Sequence, residues 1–168
     1  MNLDGKEIKM DIAGLGIVFY SPRNVEHIPE GCDYLQTNYL TEEQVQSHIQ
    51  AGTLVGFGTG SPGIYLLKFA AGCPANDVIL ASEFKLRLGL HCVGGQVCFR
   101  DLYDLLDWTS ECPGEQILEL EEGIYHVTLC SSPPPSGVIG DNQIIHVYLQ
   151  KLEKFPALAT QGVPTLCF

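Results

Sequence analysis

Apolar and polar positions alternate most regularly over residues 84–92. Phe84, Leu86, Leu88, Leu90 and Cys92 fall on one side there, and Lys85, Arg87, Gly89 and His91 on the other. A period of two belongs to a strand with one buried and one wet face, and the pattern predicts a long strand over 78–92. Residues 99–108 change the period. Phe99, Leu102, Leu105 and Leu106 recur at helical spacing, with Asp101, Asp104 and Asp107 opposite, so an amphipathic helix ending near Trp108 is expected. Beyond Pro113 and Gly114, residues 117–121 alternate, Glu122-Gly123 has turn chemistry, and 124–129 alternate again. A hairpin closed at that turn sets Leu120 opposite Tyr125, Glu119 opposite His126 and Leu118 opposite Val127, so that apolar meets apolar on one face.

A similar order of elements occurs earlier. Thr41-Glu42-Glu43-Gln44 is a capping-box sequence, and it opens a predicted helix that ends at Gly52. Strands are predicted over 54–57 and 64–69, on either side of a Gly- and Pro-containing turn. Gly63-Ile64-Tyr65 then aligns with Gly123-Ile124-Tyr125, and the recurrence raises a pseudo-symmetric duplication of a helix-hairpin unit.

The remaining pattern is simpler. Residues 12–20 read as one buried strand, 23–39 and 70–77 as loops, and the Pro- and Gly-rich segment 130–143 as an exposed loop. A strand over 144–149 would face Ile145, Val147 and Leu149 inward beside Tyr125, Val127 and Leu129. The irregular C-terminal segment 151–168 offers Leu152, Phe155, Leu158, Val163, Leu166 and Phe168 for packing across the body. The expected fold is α+β, mainly antiparallel sheet in a two-layer or sandwich-like arrangement, with two short helices. Residues 1–168 read as a single domain, with related halves over about 12–72 and 78–150.

Charge narrows the function. Twenty Asp and Glu against nine Lys and Arg give a net charge of -11, which repels nucleic acid and anionic lipid and favours a basic protein partner. The start of the sequence has no apolar leader region, and no apolar run approaches the roughly 20 residues of a membrane span, so a cytoplasmic protein is expected. Seven cysteines without a Cys-x-x-Cys pair fit free, buried thiols in a reducing compartment. Nothing in the sequence beside Cys98 or Cys112 marks an activated thiolate.

Two sets of residues carry candidate chemistry. Asp101, Asp104, Asp107 and Glu111 begin the densest acidic stretch in the sequence, and read as a solvated stripe they form a docking surface for a basic protein. With the small size and negative charge, this predicts a non-enzymatic binding protein, of the kind represented by an immunity or inhibitor protein of a nuclease-like toxin. The contrasting reading is a small enzyme or metal-binding protein. It would use Glu119, His126 and His146 on a sheet surface, with Asp141 from the proline loop. No Walker, Gly-x-Ser-x-Gly or His-Glu-x-x-His motif occurs, no cofactor is expected, and the sequence leaves the oligomeric state open.

Overall fold

The computed structural model describes residues 2–158 and 164–166. In it, β1 (Glu7–Ile12), β4 (Gly63–Ala71), β9 (Gln143–Leu152), β8 (Gly123–Ser131) and β5 (Phe84–Cys92) lie side by side in that order as a five-stranded sheet. A four-stranded sheet holds β3 (Leu54–Gly58), β2 (Gly16–Tyr20), β6 (Gln96–Asp101) and β7 (Ile117–Glu119). All neighbours are antiparallel except β4 and β9. The sheets bury their facing sides against each other. Phe99 of β6 stacks on Phe19 of β2 at 5.6 Å and meets Phe69 of the opposing sheet edge-on at 5.3 Å.

The far side of the four-stranded sheet is covered as well. Helices α1 (Tyr34–Asn38) and α2 (Glu42–Ala51) and the 3-10 turns Pro22–Val25 and Leu102–Asp107 bury Val25, Tyr34, Val45, Ile49 and Leu105. Glycines make this close approach possible: a Cβ on Gly56 would meet Tyr39 and Leu102, and the Gly56 N–H donates to the Tyr39 hydroxyl at 3.0 Å. Helix α2 follows the sequence expectation. Both halves of its capping box form, and Gly52 closes it in the left-handed region at φ 66°.

Several expected elements differ. The strand expected over 12–20 is two strands in different sheets, because the chain turns at residues 13–15 between Ile12 of β1 and Gly16 of β2. The helix expected over 99–108 is the end of β6 followed by a 3-10 helix. Pairing of Phe99 and Arg100 with β2 overrides the helical spacing: Phe99 faces the sandwich core, while Leu105 packs on the other side of the sheet. Residues 76–81 form α3 (Asn76–Ala81), so the strand expected from 78 begins at Phe84. Helix α1, which Asp33 caps at its N-terminus, lies in the segment expected to be loop.

The hairpin over 117–129 does not form. β7 pairs with β6, aligning Ile117 with Cys98 and Glu119 with Gln96, whereas β8 pairs with β5 and β9 in the other sheet. β3 and β4 are likewise divided between the sheets. The recurring Gly-Ile-Tyr marks the same local event twice, namely passage from the four-stranded to the five-stranded sheet. Gly63 and Gly123 begin their strands at φ 149° and 154°, and Tyr65 and Tyr125 donate their hydroxyls to the carbonyls of Ser61 and Glu121, each at 2.7 Å. What precedes the two passages differs, an α-helix before β3 and a 3-10 turn before β7.

The β8–β9 pairing is as expected, with Tyr125, Val127, Leu129, Ile145, Val147 and Leu149 all buried. In the C-terminal segment Leu166 is buried and Phe155 stacks on His91 at 4.9 Å, while Val163 and Phe168 lie outside the described residues. Leu105→Ala and Tyr125→Ala should each lower unfolding stability by about 2–5 kcal/mol in urea titrations. Tyr125→Phe, which removes only the crossover hydrogen bond, should cost about 1 kcal/mol. An unchanged midpoint in the alanine variants would contradict these core assignments.

Candidate docking surface around Arg100

Arg100 projects from β6 onto the covered side of the four-stranded sheet and is 5% exposed. A guanidinium so deep in protein is tolerated only when its donors are occupied and its charge is balanced. Its Nε donates to Asp104 Oδ2 at 3.0 Å, and Nη1 donates to the Tyr20 hydroxyl at 3.2 Å and to the Thr109 carbonyl. Its flat face lies 4.9 Å from the centre of the Trp108 ring, which also packs on Tyr20. Burial pushes the Tyr20 phenol well above its ordinary pKa, so it stays protonated beside the cation. Asp104 can reach Arg100 because the 3-10 helix starts directly after β6, and its carboxylate, 41% exposed, connects this buried node to the surface.

The acidic stripe therefore divides by role. Asp101 is a structural cap: Oδ2 accepts from the backbone N–H groups of Ala13 and Gly14 at 2.9 and 3.0 Å, and Oδ1 from Tyr103 at 3.0 Å. This joins the β1–β2 crossover to the start of the 3-10 helix, so the expectation of a wholly solvated stripe is corrected for Asp101 and Asp104. Asp107 and Glu111 are exposed. A further acid arrives from a distant segment. Glu30 accepts from the Ser110 N–H at 2.8 Å, and the Ser110 hydroxyl together with this N–H holds its carboxyl below the ordinary value. The loop bearing Glu30 is fixed there by the hydrogen bonds from Gly31 N to the Trp108 carbonyl and from Trp108 N to the Cys32 carbonyl. No pattern in the sequence signals this long-range pairing.

Between these acids the 3-10 helix exposes Tyr103 and Leu106, 44% and 39% accessible. Beside them, Arg100, Asp104, Thr109, Glu111, Cys112 and Gln116 line a cleft of about 500 Å³. Tyr103 and Leu106 are thus an exposed apolar pair on a short 3-10 helix that also carries Asp104 and Asp107, and the cation that lines the cleft, Arg100, is buried and already partnered.

The alternative set does not converge. Glu119 lies in the four-stranded sheet, where it accepts from Gln96 Nε2 at 3.0 Å. His126 and His146 lie on the five-stranded sheet but not opposite each other: His126 pairs with Gln150, and His146 with Cys130. Four ladder positions separate them, roughly 13 Å. Asp141 is exposed in the loop beyond Pro135, where its carboxylate accepts from the Asn142 side-chain amide. Burial, then Arg87 for His126 and Lys68 for His146, depresses both imidazole pKa values, and such cationic neighbours also disfavour a bound cation. Among the described residues, no group of three or more His, Cys, Asp or Glu could hold a metal ion.

No protein-family model matches the chain, and no curated protein matches it significantly. Solved structures with a similar fold include ComJ of Bacillus subtilis, described as an inhibitor of the DNA-degrading activity of NucA. It is 12% identical, the match covers 90% of this chain and 99% of that one, and the TM-score is 0.51. The protein of crocagin biosynthetic gene J is also 12% identical, with 85% of this chain and 95% of that one covered and a TM-score of 0.54. At this identity the likeness is one of fold. No helix among the described residues is long and apolar enough to cross a membrane.

Two predictions follow from the geometry. Asp101→Asn turns an amide NH2 toward backbone donors and should cost about 1–3 kcal/mol, whereas Asp107→Asn should stay within about 0.5 kcal/mol. Equal midpoints for the two variants in urea would contradict the capping role. Burial lowers the folded-state pKa of His126 and His146, so as the pH falls through about 6.5 the unfolded chain binds protons first and stability declines. His126→Gln/His146→Gln should therefore lose less stability than the parent between about pH 7.5 and 5.5, and an equal loss would show that these histidines contribute nothing to the acid sensitivity.

Proposed function

We propose that the chain is a non-enzymatic cytoplasmic binding protein whose surface around Tyr103 and Leu106 engages a basic protein. The partner class is a nuclease-like toxin or other DNA-degrading enzyme held inactive by the complex. The observation that carries this reading is the exposed apolar pair Tyr103 and Leu106 on the same 3-10 helix as Asp104 and Asp107, in a segment that continues to the exposed Glu111 and to Ser110, where Glu30 is held. Aromatic and aliphatic anchors supply affinity once desolvated, while surrounding charge sets association rate and partner choice. A surface that grips DNA must itself be basic, so it is complementary to this one and to the net charge of -11.

ComJ supports the reading as a similar fold that inhibits a DNA-degrading activity. The crocagin protein belongs to a different biological setting, so the fold alone does not choose between them and the argument rests on the surface. The cytoplasmic assignment rests on cysteine usage: the six cysteines among the described residues are free thiols. The enzyme or metal-site alternative loses its basis with the separation of Glu119, His126 and His146.

The test is capture of partners from lysate of the source cell on the immobilised protein at low and moderate salt, with Asp107→Asn/Glu111→Gln as control. Bound proteins are identified by mass spectrometry and assayed for DNA degradation after elution. A basic protein that degrades DNA once released, and whose retention falls several-fold in the variant and at higher salt, is the expected result. Retention unaffected by the variant would remove this surface, and a basic partner without DNA-degrading activity would leave the surface and remove the toxin.

A further inference from the structure

The five-stranded sheet ends at β5, so one side of that strand has no neighbour within the sheet. A bond made on that side fixes which residues face it: the His91 N–H donates to the Gly52 carbonyl at 2.8 Å, pointing away from β8. Backbone groups alternate in direction along an antiparallel strand, so the N–H and C=O groups of Lys85, Arg87 and Gly89 point the same way. Gly89 is closed off, buried beneath the Phe155 ring, which a Cβ there would strike. Lys85 and Arg87 are exposed, and among the described residues nothing bonds to their outward main-chain groups.

The two side chains are unpaired as well. Ion pairs among the described residues join Lys68 to Glu7, Arg100 to Asp104 and Lys151 to Glu121, which leaves Lys85 and Arg87 without a carboxylate in a chain of 20 acids against nine Lys and Arg. With His126 of β8 and residues 156–158, they line a cleft of about 670 Å³ beside the strand. Leu86 lines it too, half-buried and directed to the other side of β5, so the cleft meets the strand edge from both faces.

From this arrangement we infer that the edge of β5 at residues 85–87 takes up an acidic, extended segment of a partner protein by strand addition. The main chain of the segment pairs with the outward N–H and C=O groups of Lys85 and Arg87. Its alternate carboxylates meet the ammonium and guanidinium groups, and the apolar residues between them turn toward Leu86. Charged side chains on an edge ordinarily keep further strands away. In a chain of net charge -11, however, a basic edge attracts the acidic segments that the rest of the molecule repels. The window is short, because Phe155 covers Gly89 and Gly52 occupies the N–H of His91. The inference stands on β5 alone and does not depend on the basic partner proposed for the helical layer.

The experiment titrates the full chain into a short fluorescein-labelled peptide of alternating Glu and Val at low salt and reads anisotropy. The expected result is saturable binding that weakens several-fold in Lys85→Gln/Arg87→Gln, a variant that removes no ion pair and should keep the parent's unfolding midpoint. Amide exchange followed by NMR should slow at Lys85 and Arg87 in the complex and stay unchanged at Leu86 and Leu88, whose N–H groups point toward β8. Only alternate residues of an added strand turn their N–H groups to β5. Methylating the main-chain nitrogens of the Glu residues alone, or of the Val residues alone, should therefore abolish binding in one probe and spare it in the other, according to strand direction. Equal binding of the two methylated probes would reduce the interaction to charge and overturn the inference, and so would the absence of saturable binding. Sedimentation of the protein alone as a dimer that dissociates in Lys85→Gln/Arg87→Gln would assign the edge to a second copy of the chain and overturn it equally.

Discussion

The constraint on which the rest of the structure depends is the short passage between two sheets. Strands enter the five- and four-stranded sheets so that the chain changes sheet at β1–β2, β3–β4, β5–β6 and β7–β8, each time through three or four residues. So few residues cannot satisfy their own backbone groups while turning from one sheet to the other, and an unpaired buried N–H or C=O is costly. Side chains from elsewhere fill the gap. Asp101 serves the first crossover, the Tyr65 and Tyr125 hydroxyls the second and fourth, and at the third Ser21 Oγ donates to the Gln96 carbonyl and accepts from Val93 N. The covering helices and the surface acids are arranged around crossovers held in this way.

That constraint also explains which features could be read from the residues. Alternation in 84–92 and 144–149 reports which side of a strand is buried, and those assignments hold because the core is apolar whichever neighbour the strand bonds to. The capping box and Gly52 of α2 are local devices and were equally legible. Alternation carries no information on sheet membership. Leu118, Leu120, Tyr125 and Val127 point inward both in a hairpin and in a sandwich crossover, so the turn at Glu122-Gly123 looks the same in either arrangement. The helical spacing of Phe99, Leu102 and Leu105 arose from residues on opposite sides of a sheet, a coincidence that only tertiary pairing resolves.

The candidate site was legible as composition and not as geometry. The acids of 101–111 stand out by density, but Asp101 is a cap, Asp104 neutralises a buried guanidinium, and Glu30 joins from far along the chain. Arg100 is the reason that the group holds together. Buried under Trp108 and tied to Tyr20, Thr109 and Asp104, it anchors the segment that presents Tyr103, Leu106, Asp107 and Glu111. Three of the other cations, Lys68, Lys85 and Arg87, lie on the outward side of the five-stranded sheet, where Arg87 neighbours His126 and Lys68 neighbours His146. The acids of the 102–111 segment are exposed on the layer where the cation Arg100 is buried, which favours a basic partner there.

The most direct test of this account is backbone hydrogen–deuterium exchange of the protein alone and in complex with its captured basic partner. The docking surface predicts slowed exchange concentrated in residues 102–112 and in the loop around Glu30, with the outer strands β5, β8 and β9 unchanged. Protection confined to those three strands, with 102–112 exchanging as in the free protein, would place the partner on the opposite layer and contradict the central claim.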